Sequence, residues 1–525
     1  MHQLSTWNRR RWIGLCVALG CSLALTIITV NTPMVAVDWA RLDKFGKYIP
    51  NVVNYHWPSY TLQFSLWLAL IVALWSAFRD SKVQYIPNIP NRVGLRYITP
   101  VIIITLLGFG LRLYSLDRLP LLVDEIGFAA RASDMLHGQH IPIFAPAHNG
   151  NPATFSWLLS GSMAIFGQTR FAMRLVSLVF GTLSIVVVYT LGRVWWSRRV
   201  GLIAAVFVAT YPAHVYFSRM ALYNLVDPFF ALLALTTLGR AVRRMRLSDF
   251  VQVGIWAGIA QYFYHGSRLL PVLIIVYLII HVVSRKDVSG RRASVGWCIA
   301  VMAFAFIVVS LPRFAPMLKA GLPVTGNLNT LRLPTDLNAN ALRSILAWVG
   351  QPDISPFWLS SAPLLPLIAL VTGGVGLVMC MRRLRDPRYA VLVLMLILTT
   401  IFGGVIWIAS PLYVRYMTAL PAIAVMVALP FETTFIKKER WAWILIAVMV
   451  LQGAIISVQQ PAEAYGRVPA GLWEQDSLAR AAAQLPAGMV ARLKVSADFG
   501  RVDRITIADY IAAYGTRRSV TLITK

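Results

Sequence analysis

Acid is what this chain has least of. Asp and Glu number 21 against 49 Lys and Arg in 525 residues, and charged residues of both signs make up only 13%. Soluble domains are about 25% charged, so a water-facing globule, or a string of them, is excluded as the main body. Cysteine is also scarce. Cys16, Cys21, Cys298 and Cys380 lie in or beside apolar runs, without zinc-ligand spacing or outer-loop partners, which argues for buried thiols over a disulfide framework. No basic tail or basic domain collects the formal charge of +28; the arginines punctuate apolar runs instead. That distribution sets membrane topology and excludes nucleic acid as a partner. Internal repeats and low-complexity tracts are missing too.

What the chain has in abundance is apolar length. Hydrophobic residues make up 58%, gathered into runs of the size needed to cross a bilayer. About thirteen spans are expected, near 12–31, 58–78, 97–114, 171–191, 200–217, 222–239, 250–264, 268–284, 294–312, 362–381, 389–409, 413–430 and 441–458. Arg9-Arg10-Arg11 before the first run resembles a signal peptide, but no small-residue cleavage site follows and the run continues to Val30, so a retained span is expected. With the N-terminus in the cytoplasm, every inner connection is basic, from Arg193/Arg198/Arg199 and Arg240/Arg243/Arg244/Arg246 to Arg382/Arg383/Arg385/Arg388 and Lys437/Lys438/Arg440. The lipid bilayer is therefore the first expected partner.

Three long segments then face outward, at about 115–170, 313–361 and after Gln459. The second carries Arg313, Lys319, Arg332, Asp336 and Arg343 and reads as a lid or as a plain structured connection. The last has pieces at 472–484, 489–495, 504–514 and 518–523 that alternate helix and strand, a small α/β tail. The expected organisation is two additional N-terminal spans in 1–96, a membrane core in 97–459 and the tail in 460–525.

The sharpest chemical feature is Asp124-Glu125, placed after Leu119-Pro120-Leu121-Leu122-Val123 at the end of the third span. Adjacent carboxylates at a membrane boundary are costly to desolvate. The plainer alternative is a solvated loop pair, or acids opposing the dipole of a following helix. Three short outer hairpins each set one arginine beside tyrosine: Ser218-Arg219 with Tyr223-Asn224, Tyr264-His265-Gly266-Ser267-Arg268, and Tyr413-Val414-Arg415-Tyr416. The charge rule gives no reason for arginine there. Snorkelling explains one such site; three suggest a phosphate-binding rim.

The order of features then carries a resemblance. Asp124-Glu125 is followed by Ala129-Ala130-Arg131, Met135-Leu136-His137-Gly138, Asn149-Gly150-Asn151-Pro152, an amphipathic stretch Phe155–Phe166, Phe171-Ala172-Met173-Arg174-Leu175, and a span closing at Tyr189-Thr190-Leu191-Gly192-Arg193. This succession resembles the GT-C membrane glycosyltransferases, in the branch of the protein O-mannosyltransferases and the aminoarabinose transferases of lipid A. It covers 97–285 well and 389–458 loosely.

The resemblance implies an all-α polytopic bundle of about 11–13 transmembrane helices with outer-face amphipathic helices. It implies transfer, with inversion, of a sugar from a polyprenyl-phosphate donor to a lipid, glycan or protein acceptor outside the cytoplasm. The acid pair of the family's first outer loop matches Asp124, as base, and Glu125, as its partner. Arg219 and Arg415 match the family's arginine-bearing turns; with Arg268, Tyr264 and Tyr413 they are the expected donor-phosphate set. Where the family often has a second acid, this chain has Asn224, and Asp227 one turn deeper is the alternative. His148 and Asn149 are candidates for contact with the acceptor, His148 alternatively with a metal. The acid set is thin for a metal, so no cofactor is assigned and a divalent cation, magnesium or manganese, is left open.

Rival readings follow from other features. A transporter or flippase should carry charge in mid-span, and these spans have almost none. A diphosphate-glycan ligase lacks the acid pair, and Asn224 leaves room for a non-catalytic assembly subunit.

Overall fold

The computed structural model describes residues 9–30, 41–42, 48–49, 60–79, 95–137, 143–144, 152–284, 292–319, 336–407, 410–433, 439–484, 491–495, 511, 513–515 and 520–524. His148, Asn149 and Arg332 lie outside them.

The chain opens with α1 (Arg9–Val30), a short antiparallel pair β1 (Arg41–Leu42) and β2 (Tyr48–Ile49), and α2 (Tyr60–Phe78). The bundle continues through α3 (Leu95–Leu113), α4 (Val123–Leu136), α5 (Thr154–Phe166), α6 (Arg170–Trp195), α7 (Arg198–Thr210), α8 (Pro212–Ser218), α9 (Val226–Arg244) and α10 (Leu247–Ala260). Next come α11 (Leu269–Ser284), α12 (Arg292–Lys319), α13 (Leu337–Leu346), α14 (Leu367–Met381), α15 (Pro387–Thr400), α16 (Tyr413–Tyr416) and α17 (Leu420–Thr433). The long α18 (Glu439–Arg467) leads into α19 (Ala470–Ala483), β3 (Ala491–Val495) and β4 (Val520–Thr524).

Among the described residues nine helices are long and apolar enough to cross a membrane, or ten if α7 and α8, bent by 57°, form one span. The chain is a multi-pass membrane protein. Three of the thirteen expected spans are shorter apolar helices, Ile98–Leu113, Leu247–Ala260 and Leu367–Met381. For α14 the reason is local. Pro363 and Pro366 keep the preceding residues out of the helix. Non-helical backbone at that depth is tolerated where protein rather than lipid surrounds it.

Prolines also explain how helices are joined laterally. Pro212 has no N–H for the carbonyl of Val208, and the chain turns there. The buried Arg112 of α3 takes over, donating to Val208 O at 2.9 Å, Ala209 O at 3.1 Å and His214 Nδ1 at 2.8 Å. The same logic operates twice along α12. Pro312 releases the carbonyl of Val308, which accepts from Ser22 Oγ at 2.7 Å; Pro316 releases that of Pro312, which accepts from Thr29 Oγ1 at 3.1 Å. Each bond satisfies a carbonyl that lipid could not. The two N-terminal helices are thereby fastened to the core, α1 packing on α2 and α12.

Small residues let α6 and α7 cross closely. A Cβ on Gly192 of α6 would lie 2.6 Å from the Cα of Gly201 in α7, so this hairpin closes only with glycine at that crossing. At the chain's end, β3 and β4 pair in parallel with Ala491 opposite Val520. This small α/β tail docks on α4 and α6: Ser133 Oγ donates to Gly515 O at 2.7 Å, and Arg170 lies 3.7 Å from the buried Asp476.

Candidate active site

The site begins with the turn that delivers α4. Arg174, buried in α6, donates to the carbonyls of Leu116, Leu119 and Pro120 at 2.9, 3.1 and 2.9 Å. It also grips Glu125 with two parallel bonds, Nε to Oε1 and Nη2 to Oε2, each 2.8 Å. The carboxylate of Glu125 accepts two further bonds from backbone, Leu122 N at 2.9 Å and Ala221 N at 2.7 Å. Glu125 is fully buried. The expectation that it works beside Asp124 on a substrate therefore needs correcting: all its acceptor capacity is spent inside the protein, tying α4, α6 and the loop after α8 together.

Asp124, one residue earlier, turns the other way. It is half-buried, and burial raises its carboxyl to about 6, with the Arg415 charge lowering it and the Glu125 charge raising it. Around it stand Tyr223, Tyr264 and Arg415. The hydroxyls of Tyr223 and Tyr264 feel the Asp124 charge, their rings meet edge to face at 5.2 Å, and the Arg415 charge acts on the Tyr264 hydroxyl. Arg415 also lies 4.2 Å over the ring of Trp407, a cation–π contact that holds its head in place.

The second half of the cluster hangs from α9. Asp227 is buried in its first turn and its Oδ1 accepts from Tyr264 N at 3.1 Å, while Oδ2 has no hydrogen-bond partner. Arg268, half-buried, acts electrostatically on Asp227, Tyr223 and Tyr264. The hairpin that carries Tyr264 and Arg268 can approach because residue 266 is glycine; a Cβ there would sit 2.8 Å from Asp227 Oδ2. Both Arg268 and Arg415 keep Nη1 buried without a hydrogen-bond partner, and such a donor is costly to leave unmade. Two guanidinium groups, two tyrosines and one half-exposed carboxylate thus form a single cluster, the chemistry of an anion site with a base beside it.

Not every expected residue joins this set. Arg219 donates from Nε and Nη2 to Leu111 O, at 3.2 and 2.5 Å, and closes the end of α3. Burial lowers it to about 10. Tyr413 is wholly buried, its hydroxyl donating to Gln351 O at 2.6 Å, with its backbone N–H given to Asp353. These bonds hold structure at both positions and take Tyr413 out of the phosphate set, while Arg219 Nη1, like those of Arg268 and Arg415, is buried without a hydrogen-bond partner. Asn224 is buried in the 3₁₀ turn before α9. His148 and Asn149 are outside the described residues.

Three residues near the site were not singled out as site residues from sequence. Arg174 lies 49 residues from Glu125, too far for any local motif. Tyr223 was noted only as a neighbour of Arg219. Asp353, in the connection after α13, faces Arg415, and burial raises it to about 6 against the lowering effect of bonds from Ser355 and Tyr413 N; its own segment has no periodicity that would flag it.

For a divalent cation the fit is poor. Among the described residues no three His, Cys, Asp or Glu side chains gather. Asp124 and Asp227 already stand opposite Arg415 and Arg268, which supply the positive charge a cation would bring.

Comparisons with known proteins agree with this architecture. Residues 150–311 match the family described as dolichyl-phosphate-mannose-protein mannosyltransferase. The match includes Arg174, Asp227, Tyr264 and Arg268 but begins after Asp124 and ends before Arg415. No curated protein sequence matches the chain. Among solved structures, ArnT from Cupriavidus metallidurans bound to undecaprenyl phosphate superposes with a TM-score of 0.57 at 14% identity, covering 81% of this chain and 85% of that one. The apo state of ArnT gives 0.55 at 13%, covering 82% and 86%. The apo oligosaccharyltransferase of Archaeoglobus fulgidus gives 0.51 at 15%, covering 81% of this chain; the chain spans 64% of that protein's length.

Proposed function

We propose that this chain, which has the fold of the GT-C membrane glycosyltransferases and resembles their O-mannosyltransferase and ArnT-like branch, transfers a sugar from a polyprenyl-phosphate donor to an acceptor on the non-cytoplasmic face. The observation that carries the reading is the cluster in which half-buried Asp124 stands within the field of Arg415 and close to Tyr264, with Arg268 behind. Asp124 is the base. Its carboxylate takes the proton of the acceptor hydroxyl as that oxygen attacks the anomeric carbon. The bond from that carbon to the phosphate oxygen breaks, and the polyprenyl phosphate leaves carrying one more negative charge. Arg268 and Arg415 bind the leaving phosphate, each offering a buried Nη1. Attack from the face opposite the phosphate inverts the centre.

With burial raising its carboxyl to about 6, Asp124 is ionised at neutral pH yet basic enough to accept a proton. Glu125 is a positioning residue: held by Arg174, it fixes the backbone from which Asp124 projects. The lipid-bound ArnT supports a lipid phosphate as the donor's leaving group. The acceptor is a lipid, glycan or protein hydroxyl.

Mass spectrometry of surface lipids, glycans and proteins, with and without the gene, tests this reading. One sugar substituent should disappear and return with the intact gene but not with Asp124→Asn. Identical profiles in the two strains would contradict it.

A further inference from the structure

A cavity of about 360 Å³ opens at the far end of the bundle from Asp124, where α6, α9, α11 and the α14–α15 turn meet. Arg174 near the start of α6 bonds Glu125, whereas Trp195 at its end walls this cavity. Between them the helix rises about 30 Å, the thickness of a bilayer's apolar core. The two sites are on opposite sides of the membrane.

The lining is cationic. Arg243, Arg385 and Arg388 face it together with His281, and Asp386 is the one carboxylate among the lining residues. That carboxylate is already committed, accepting from Arg388 Nη2 at 2.6 Å and Nε at 3.1 Å while it caps α15 through Arg388 N at 3.0 Å. One acid against three arginines leaves a net positive cavity.

Its walls are fixed. Trp195 Nε1 donates to Leu235 O at 2.9 Å, and Gly239 offers no room for a Cβ against that indole. Tyr277 and His281, one turn apart on α11, stack with rings 9° from parallel. Arg388 Nη1 and Arg243 Nη2 both donate to Trp195 O, at 2.7 and 3.2 Å, and Ser284 Oγ donates to Arg385 O at 3.0 Å. Such bonds hold a concave, polar pocket in one shape, large enough for a phosphate and its polar substituent.

The other face of α11 says where that phosphate comes from. Ile275, Ile279 and Val283, exposed by 54, 57 and 78%, are offset from Tyr277 and His281 on a spanning helix and face lipid. The cavity is then about one helix diameter, ~10 Å, from acyl chains. We propose that it binds the phosphate headgroup of an acidic phospholipid of the inner leaflet. Attraction of juxtamembrane arginines to anionic lipid is general; the walled cavity makes this one a discrete site.

The test uses the purified full chain in neutral detergent, titrated with phosphatidylglycerol, phosphatidylcholine or inorganic phosphate and read by native mass spectrometry and calorimetry. Phosphatidylglycerol should bind about tenfold more tightly than phosphatidylcholine. The double variant Arg243→Gln/Arg385→Gln should lose that preference while still unfolding in a single cooperative transition, and Arg385→Gln alone, which removes no wall bond, should weaken it. Arg440→Gln, an exposed arginine at the start of α18 outside the cavity, should keep it. Equal binding of the two lipids by the unaltered chain would overturn the proposal, as would a preference that survives in the double variant. Equal loss in Arg440→Gln would reduce the site to diffuse surface charge. Displacement of the lipid by millimolar inorganic phosphate would make it a site for the free anion.

Discussion

At the end of the bundle that holds Asp124, Arg268 and Arg415 are half-buried among tyrosines and carboxylates, each with a guanidinium nitrogen lacking a partner. At the other end Arg382, Arg383 and Arg385 stand exposed on the turn before α15. Both ends are basic, and a count of charges would rank the second above the first. Exposed arginines fix which way the chain crosses the membrane, a task that needs charge and little geometry. Buried ones are held by neighbours at a desolvation cost that only a specific partner offsets. At the Asp124 end two such arginines meet two tyrosines and two carboxylates in one cluster, and that convergence, not the number of arginines, marks the end where chemistry is expected.

The largest effect should come from the membrane itself. A cysteine at Arg480, exposed on α19, should react with an impermeant thiol reagent in intact cells, whereas one at Arg385 should react only after permeabilisation. Labelling of both in intact cells would erase the difference between the ends. Next is the anchor beneath the site. Arg174→Ala leaves Glu125 buried without its ion pair, and breaking such a pair costs about 3–5 kcal/mol. Thermal unfolding in detergent should therefore show a large loss, and a small one would mean that Glu125 is wetter than its surroundings indicate.

Smaller effects separate the arginines by burial. Arg268→Ala or Arg415→Ala should weaken donor binding by roughly tenfold to a hundredfold, a charge-assisted contact being worth about 1.5–3 kcal/mol. Lysine should rescue only in part, since a point charge replaces the planar fork. Direct titration with a polyprenyl-phosphate sugar reads both. Arg382→Gln, at the opposite end, should change stability by less than about 0.5 kcal/mol and leave donor affinity alone.

Much of this arrangement is legible in the chain. Apolar runs and their basic punctuation report the spans, because the bilayer imposes a length and a charge asymmetry that local sequence must meet. The helix expected at 472–484 and the strands at 489–495 and 518–523 are read from short-range pattern in the same way, while most of the piece at 504–514 lies outside the described residues. Asp124 is visible for its rarity at a membrane boundary. The division of labour between Asp124 and Glu125 is not visible, since neighbours in sequence project to different sides of a helix and the partner that claims Glu125 comes from α6. Arg219 shows the complementary case, spending Nε and Nη2 on the carbonyl of Leu111, and Arg112 shows the physical reason. An arginine near a span end looks like a ligand for phosphate until the carbonyls it satisfies are known, and those of Val208 and Ala209 are released only where Pro212 breaks the next helix. Asp353 and Tyr413 meet only through tertiary packing of the segment after α13.

The identity of the base is the point on which the reading turns. The purified protein should be assayed with a polyprenyl-phosphate sugar from about pH 5 to 8, comparing the unaltered chain with Asp124→Asn and Asp227→Asn. A base must be ionised to act, and Asp124 is raised to about 6 by burial. The unaltered chain should therefore hold its kcat/KM above that pH and lose about tenfold per unit below it. Asp124→Asn should lower turnover by about 10²–10⁴-fold at neutral pH, abolish the acid limb and leave donor binding nearly unchanged. Near-normal turnover in Asp124→Asn, with Asp227→Asn inactive, would move the base to α9 and contradict the assignment.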